Sequence, residues 1–281
     1  YGGFAQFNSF NNVVWRNDPD HIDISRPDGY RSATLTSLTG SLLMLTDRPE
    51  VYRTDRAEAA RRTAPVLLTM PGQVYDVDPS RSSRLFMVEH EVSGSGPRPF
   101  EADQRLQQSL YQLDVARPFE RWTVLARTAG APDTVRFADL GLAPGRDYVA
   151  FDFWGKRFLG AFRDTFIGGP IDTTYLVQVV CLRERQSHPQ LLASNRHVSC
   201  GGVDLEQVSW SGGTLAGVSQ VATGDAYELY LTEPDGWTAE SVDAPGAQAE
   251  LGERRDGTVR VTMRGAQAGL LAWRVRFSRS R

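Results

Sequence analysis

The sequence predicts an α/β segment at the start of the chain, followed by antiparallel β structure. Over about the first seventy residues, apolar runs alternate with helix-like stretches, whereas from about residue 84 onward apolar residues recur at every second position. Runs that are apolar on both faces are typical of parallel strands covered by helices, and strict alternation is typical of half-exposed strands. At 281 residues, the chain is long enough for two or three hydrophobic cores.

The elements of the α/β segment follow one another in a regular order. "NNVVW" predicts a short buried strand, and "SATLTSLTG" predicts a helix that ends at Gly40. "SLLMLTD" predicts an apolar strand that ends at Asp47, and "TDRAEAARR" predicts a second helix. In parallel sheets, functional side chains lie beyond the carboxyl ends of the strands. We therefore expect Asp18, Asp20 and Asp47 at such positions.

The remainder of the chain has the two-residue period of antiparallel strands. "TVRVTMRG" and "WRVRFSR" alternate apolar residues with arginine, threonine or serine, and turn residues separate further runs of this kind. This pattern favours a β-sandwich over residues 84–172 and a second sandwich, or a continuation of the first, over 173–281. The α/β segment then covers 1–83, and "SGSGPRP" at 93–99 is a loop or linker.

The overall composition narrows the class of partner. Thirty-one Lys and Arg against 34 Asp and Glu give a net charge of -3, with no long run of one sign, so we expect binding neither to nucleic acid nor to an acidic membrane. No apolar run approaches the roughly 18 residues of a membrane span. Cys181 and Cys200 are too far apart in sequence for a CxxC site, so they either pair or stay reduced. The start, "YGGFAQFNSF", lacks a methionine and a signal pattern, which suggests a fragment or a processed chain; the compartment stays open.

The stretch "VVWRNDPDHIDI", residues 13–24, concentrates acidic side chains behind a tryptophan. Like charges held this close repel one another and are costly to desolvate. Arg16 can hold one carboxylate ionised while a less solvated carboxyl keeps a raised pKa, and such a pair is what glycoside hydrolysis uses. Trp15 offers an apolar face of the kind on which sugar C–H groups stack. The same residues are also typical of a structural Asx-Pro turn. A metal site is the weakest alternative, because the residues do not have the spacing of a calcium-binding loop or of a zinc hydrolase.

Two segments carry a resemblance to a known family. "WRNDPDHIDI" resembles the W-N-D-P-D-M-L signature of the α-galactosidases of glycoside hydrolase family 27, with Arg16 inserted and His21 and Ile22 in place of Met and Leu. "SLLMLTD" followed by "RPEVY" resembles the next strand of that family, and residues 120–162 are similar to the C-terminal sandwich of these melibiase-type enzymes. The resemblance, to families 27 and 36, implies the C-terminal strands and helices of a (β/α)8 barrel followed by antiparallel β-sandwiches.

The resemblance also implies roles for individual residues. One alignment places Asp20 and His21 in the sugar pocket, a second makes Asp20 the acid/base and Arg16 a substrate contact, and a third makes Asp18 the acid/base. Asp20 and Asp18 are therefore the catalytic candidates. The substrate-binding candidates are Trp15, Arg16, His21 and Asp47. The expected partner is a carbohydrate substrate, with no cofactor, no metal, no nucleic acid and no membrane; a homo-oligomer stays open.

The resemblance further implies a nucleophilic carboxylate within a K-x-D segment earlier in the parent protein. Lys156, the only lysine in the sequence, lies in the β region instead. We therefore expect this chain to be the C-terminal portion of a glycoside hydrolase acting on terminal α-linked sugars, and to be inactive by itself. The alternative is a non-catalytic β-sandwich that serves as an accessory or carbohydrate-binding module.

Overall fold

The computed structural model describes residues 10–69, 74–76, 109–265 and 267–279. The loop "SGSGPRP" and the predicted boundary between residues 83 and 84 lie outside these ranges. The chain is mostly β, with 47% strand and 10% helix.

The first elements alternate between strand and helix. They are β1 (His21–Ile22), α1 (Gly29–Leu38), β2 (Met44–Leu45) and α2 (Ala57–Arg61), with a 3₁₀ turn at Val51–Arg53 before α2. β1 and β2 pair in parallel, with His21 opposite Met44 and Ile22 opposite Leu45. The two strands are only two residues long each, so this pair is much smaller than the sequence predicts.

The α1 helix is buried on nearly every side and ends at a glycine. Nine of its ten residues are buried, including four of its serines and threonines. Gly40 follows the helix with a φ of +68°, in the left-handed region that glycine adopts without strain. A Cβ at this position would lie 2.5 Å from the backbone oxygen of Leu67, so the chain passes too close for a side chain.

The remaining strands are numbered in chain order. They are β3 (Val74–Asp76), β4 (Leu110–Arg117), β5 (Glu120–Arg127), β6 (Thr134–Arg136), β7 (Asp147–Asp152), β8 (Arg157–Arg163), β9 (Thr165–Ile167), β10 (Gln178–Glu184), β11 (Leu191–Ser194), β12 (Leu205–Ser211), β13 (Thr214–Val221), β14 (Tyr227–Thr232), β15 (Trp237–Asp243), β16 (Ala247–Arg255), β17 (Thr258–Gly265) and β18 (Gly269–Arg279), with a second 3₁₀ turn at Phe137–Leu140.

These strands form several antiparallel sheets. The largest sheet has the strand order β3-β4-β5-β10-β7-β8, and β6 pairs with β9. Two four-stranded sheets have the orders β11-β14-β17-β16 and β12-β13-β18-β15. Apolar residues of both four-stranded sheets share one core, to which β17 contributes Val259, Val261 and Met263, and β18 contributes Trp273 and Val275. This last part of the chain is therefore a β-sandwich.

The chain folds into two compact units that interleave along the sequence. The first unit comprises Tyr1–Asp114, Leu125–Leu142 and Thr165–Val179, and the second comprises Val115–Val124, Ala143–Asp164 and Val180–Arg281. The predicted division into 1–83, 84–172 and 173–281 stays a prediction.

The predicted fold class, the end of a (β/α)8 barrel followed by sandwiches, is wrong. The chain is mostly β, with several antiparallel sheets and two α-helices among the described residues. "NNVVW", predicted as a buried strand, is a turn in which Val13 and Val14 are 60% and 66% exposed and donate their backbone N–H groups to the Phe10 oxygen. An apolar run without periodicity indicates burial only when a sheet covers it, and here none does.

The tight packing of the sandwich core gives a test of the fold. Gly217 lies on β13, and a Cβ there would stand 2.4 Å from Cζ2 of Trp273 and 2.6 Å from the Gln207 oxygen. We expect Gly217→Ala to lower the free energy of unfolding by about 2 kcal/mol, because an overpacked core must shift its neighbours. Gly169→Ala is the control, since a Cβ there meets nothing within 4 Å. Urea unfolding measures both, and equal midpoints for Gly217→Ala and wild type would contradict the packing described.

Candidate functional site

The predicted catalytic residues lie in a turn before β1, which we call the acidic turn (residues 15–21). Asp20 has a φ of +64°, a left-handed conformation that aspartate tolerates better than most residues. The Asp18 Oδ1 accepts the backbone N–H of Asp20 at 2.8 Å, and Asp20 Oδ1 in turn accepts the backbone N–H of His21 at 2.8 Å. These two short-range hydrogen bonds fix the shape of the turn.

The Asp20 carboxylate is exposed and paired with its neighbour. Its side chain is 84% exposed, and Oδ1 lies 3.0 Å from Nδ1 of His21, whose side chain is 51% exposed. The backbone hydrogen bond from His21, the hydrogen bond from its side chain and the electrostatic interaction with that side chain lower the pKa of Asp20 below its ordinary value. In this arrangement Asp20 is therefore an ionised hydrogen-bond acceptor, and it is not the raised-pKa partner of a carboxyl pair.

Trp15 and Arg16 lie on the surface of the same turn. The Trp15 ring is 46% exposed and stacks against Phe10 with 4.9 Å between centroids. Its indole N–H donates to Oδ1 of Asn17 at 2.9 Å, and Nε of Arg16 donates to Oδ1 of Asn12 at 3.1 Å. The structure thus brings together five of the six predicted site residues, Trp15, Arg16, Asp18, Asp20 and His21, on one turn.

Two buried asparagines, Asn11 and Asn17, connect the acidic turn to the rest of the first unit. Asn11 is fully buried; its Nδ2 donates to the Thr39 oxygen at 2.7 Å, and its Oδ1 accepts the backbone N–H of Asn17 at 2.8 Å. The oxygen of Asn17 accepts the N–H of Leu42 at 2.9 Å, just before β2. The end of α1 and the segment that leads into β2 therefore hold the turn in place.

Asp47, the sixth predicted site residue, binds backbone N–H groups of a neighbouring segment instead. It follows β2, and its two carboxylate oxygens accept the backbone N–H groups of Ile24 at 2.6 Å and Ser25 at 3.1 Å, just after β1. Asp23 makes the reciprocal link, because its Oδ1 accepts the hydroxyl of Thr46 at 2.7 Å. The two carboxylates at the ends of these parallel strands thus fasten the strands to each other.

Tyr52 belongs to this group, although the sequence gives no sign of it. Burial and then the negative charge of Asp47, with a smaller contribution from Asp23, raise the pKa of its hydroxyl. Only the parallel pairing of β1 with β2 brings Asp23 and Asp47, 24 residues apart, to one end of the pair. The spacing of residues along the chain therefore could not reveal this cluster.

The second unit holds a fully buried carboxyl with a raised pKa. Burial raises the pKa of Asp204, against the opposing effect of a hydrogen bond from the Tyr227 hydroxyl at 2.6 Å. Tyr227 also contacts the hydroxyl of Ser219 at 2.8 Å. All three side chains lie inside the sandwich, where no substrate reaches them, so Asp204 belongs to the polar part of the core.

A buried arginine, Arg183, lies among polar and aromatic groups near both cysteines. Arg183 pairs with Glu120, donates to the backbone oxygens of Leu192 at 3.0 Å and Cys200 at 2.9 Å, and lies 3.9 Å above the Trp122 ring. Cys181 and Cys200 are both buried as free thiols, and burial raises the pKa of Cys200. These contacts give the buried guanidinium its partners, so loss of Glu120 would leave an uncompensated buried charge.

The histidines and tryptophans of the second unit also pack internally. His197 is buried and its Nδ1 accepts the backbone N–H of Ser199 at 3.0 Å. The ring of His188 stacks on Trp210 at 4.9 Å, and Trp210 meets Trp237 edge-on at 5.1 Å. His90, for which a solvated strand face is predicted, lies outside the described residues.

Comparison with known proteins assigns neither a family nor a function to this chain. The sequence matches no known family profile, and no curated protein resembles it significantly. Within the described ranges, no group of three or more His, Cys, Asp and Glu side chains is placed to hold a metal ion. In the same part of the chain, every helix is too short or too polar to cross a membrane. Any assignment of function therefore depends on the geometry described above and on the resemblance of the acidic turn.

The strand-fastening role of Asp47 can be tested directly. We expect Asp47→Ala to lower the free energy of unfolding by about 1–2 kcal/mol, because the N–H groups of Ile24 and Ser25 lose their acceptors. Amide hydrogen exchange at Ile24 should accelerate at the same time. Glu50→Ala, three residues along at an exposed position, is the matched control. Unchanged protection of Ile24 in Asp47→Ala would show that the carboxylate does not hold this backbone.

The electrostatics of the acidic turn predict a pH dependence. Because the pKa of Asp20 is lowered in the folded chain, its contribution to stability is present above the ordinary value of 3.8 and is lost as the pH falls through the folded pKa. Titration of the Asp20 carboxyl carbon by NMR should show this lowered pKa. In His21→Ala the pKa should move back toward the ordinary value, since the imidazole contacts are gone. An identical titration curve in the variant would contradict the pairing.

Proposed function

We propose that this chain is the sugar-contacting portion of a glycoside hydrolase of the α-galactosidase kind, which acts on terminal α-linked sugars. The observation that carries the proposal is the acidic turn, where a half-exposed tryptophan, an arginine and two exposed carboxylates stand within six residues on a fixed backbone. The resemblance of "WRNDPDHIDI" to the family signature supports the choice of sugar class.

The chemistry of the turn suits a saccharide. The ionised Asp20 accepts hydrogen bonds from sugar hydroxyls, and such charge-assisted bonds are stronger than neutral ones. Trp15 offers an apolar face to the C–H side of a sugar ring, and its stacking on Phe10 holds that face in one orientation. Arg16 and His21, on the same turn, add further polar groups. A sugar ring, which carries hydroxyl groups and has an apolar C–H face, matches this combination of charged groups and an indole ring.

The catalytic role follows from what sugar binding does to Asp20. A bound sugar displaces water from the turn, and the loss of water raises the pKa of a carboxyl group toward the range of a proton donor. Asp20 then protonates the leaving glycosidic oxygen and later takes a proton from the attacking water, with Asp18 as the alternative for this role. Retention requires a second carboxylate about 5 Å away. The proposal places that nucleophile outside residues 1–281.

A second candidate function is carbohydrate binding without catalysis. The specific observation in its favour is that the Asp20 side chain is 84% exposed and has a lowered pKa, so it is an ionised acceptor for hydroxyl groups. In that case the turn binds a sugar but transfers no proton. The two functions differ in turnover, so one assay separates them.

The test is hydrolysis of an aryl α-galactoside by the full gene product that contains residues 1–281. We expect Asp20→Asn to lower kcat about 100-fold or more, since an amide cannot act as general acid or base. Asp18→Asn is assayed beside it, because one alignment assigns the role to Asp18. Asp243→Asn, an exposed aspartate on β15, is the matched control and should leave kcat unchanged.

Two outcomes would count against the hydrolase. If both Asp18→Asn and Asp20→Asn keep kcat within threefold of wild type, neither carboxylate is catalytic. If the wild type binds the galactoside but shows no turnover, and Asp20→Asn weakens that binding, the binding module is the correct account.

A further inference from the structure

We infer that the second unit binds a neutral saccharide in a groove between the β7–β8 turn and the β16–β17 hairpin. Two adjoining clefts of about 240 Å³ and about 200 Å³ form this groove, and Phe158 and Asp256 line both of them. All the lining residues belong to the second unit. The inference is independent of the acidic turn, which lies in the first unit.

Two tight turns form the walls of the first cleft. Asp256 and Gly257 have φ values of +51° and +75°, and two consecutive left-handed residues at the tip of the β16–β17 hairpin indicate a type I′ turn. Lys156, in the turn between β7 and β8, has a φ of +47°. A lysine rarely adopts this conformation, and residues of this kind cluster at functional sites. The strained turn presents Lys156 and Arg157 to the cleft.

A largely buried glutamate contacts three of the side chains that line this cleft. The Glu228 side chain is 13% exposed; it accepts the Tyr230 hydroxyl at 2.7 Å and lies 3.4 Å from Nζ of Lys156 and 3.7 Å from Nη1 of Arg260. Tyr230 in turn packs against Phe151 with 4.6 Å between centroids. These contacts order the polar groups before a ligand arrives, which lowers the entropic penalty of binding.

The charges around the first cleft balance. Four cations line it, namely Lys156, Arg157, Arg255 and Arg260. The lining holds two carboxylates, Glu253 and Asp256, and two further carboxylates outside the lining pair with its cations: Glu228 lies 3.4 Å from Nζ of Lys156, and Asp152 lies 3.9 Å from Nη2 of Arg157. A site with balanced charge does not concentrate anions or cations. Its dense donors and acceptors instead match a neutral ligand with many hydroxyl groups.

Phe158 gives the groove its apolar surface. It is half-buried and lines both clefts, so it is available to a ligand that spans them. The second cleft again combines charges of both signs, with Arg185 opposite Glu233 and Asp235. A wholly apolar ligand would desolvate these charges without compensation, which is unfavourable. A saccharide of at least two units supplies hydroxyls for the charged walls and a C–H face for the ring.

The experiment titrates the 281-residue chain with three neutral disaccharides, melibiose, maltose and cellobiose, and with sodium phosphate. Backbone NMR follows the amide signals of the groove. We expect at least one disaccharide to give saturable shifts at residues 156–158 and 255–258, and phosphate to give none. Phe158→Ala and Arg255→Ala should each lower the affinity about tenfold; Arg255 is exposed, so its variant keeps the fold even if Phe158→Ala does not.

Two controls separate this site from the rest of the molecule. Arg274→Ala, at an exposed arginine of β18 outside the groove, should bind as wild type does. Asp20→Asn should leave the groove shifts unchanged, so a failure of the proposed hydrolase does not affect this result. The inference is overturned if no disaccharide shifts the groove signals, if phosphate alone shifts them, or if Arg255→Ala binds with wild-type affinity.

Discussion

The hydrogen bonds of Asn11 fix the acidic turn, and the proposed function depends on them. This one buried side chain donates to the Thr39 oxygen at the end of α1 and accepts the N–H of Asn17 within the turn. Buried amide groups must find partners, so the interaction is strongly constrained. Asn11 holds the turn at Asn17, and the hydrogen bonds of the Asp18 and Asp20 carboxylates hold the left-handed backbone at Asp20. The buried amide of Asn11 is thus the contact that joins the turn to the end of α1.

The two units carry different kinds of candidate surface. In the first unit, a short turn concentrates one tryptophan and several charged groups beside a small parallel pair. In the second unit, antiparallel strands pack around an apolar core, and their connecting turns line a groove of balanced charge. Both surfaces combine ordered charged groups with an aromatic ring, which is a combination suited to sugars. Burial raises the pKa values of Asp204 and Cys200, and both residues are buried in the second unit.

The sequence predicted many of the β-strands, both helices near the start and the strand between them, but it did not predict the turn at "NNVVW" or the mostly β fold class. "TVRVTMRG" is β17 and "WRVRFSR" lies within β18, because strict alternation fixes which face of a strand is buried. "NNVVW" failed because the turn there depends on asparagine contacts to residues 28 and 57 positions away, which no local pattern encodes. The strand end at Asp47 was anticipated, but its two backbone donors were not, since they come from the segment after β1. The groove joins residues from three separate stretches near 156, 228 and 255, so only the folded chain reveals it.

The central claim is that Asp20 contacts a sugar. The most direct measurement is the carboxyl-carbon NMR signal of Asp20 during a titration with methyl α-galactoside, with the signal of Asp243 as an internal reference. The account predicts a saturable shift of the Asp20 signal and a raised pKa in the bound state, while Asp243 stays constant. An Asp20 signal that does not move up to the solubility limit of the sugar would contradict it.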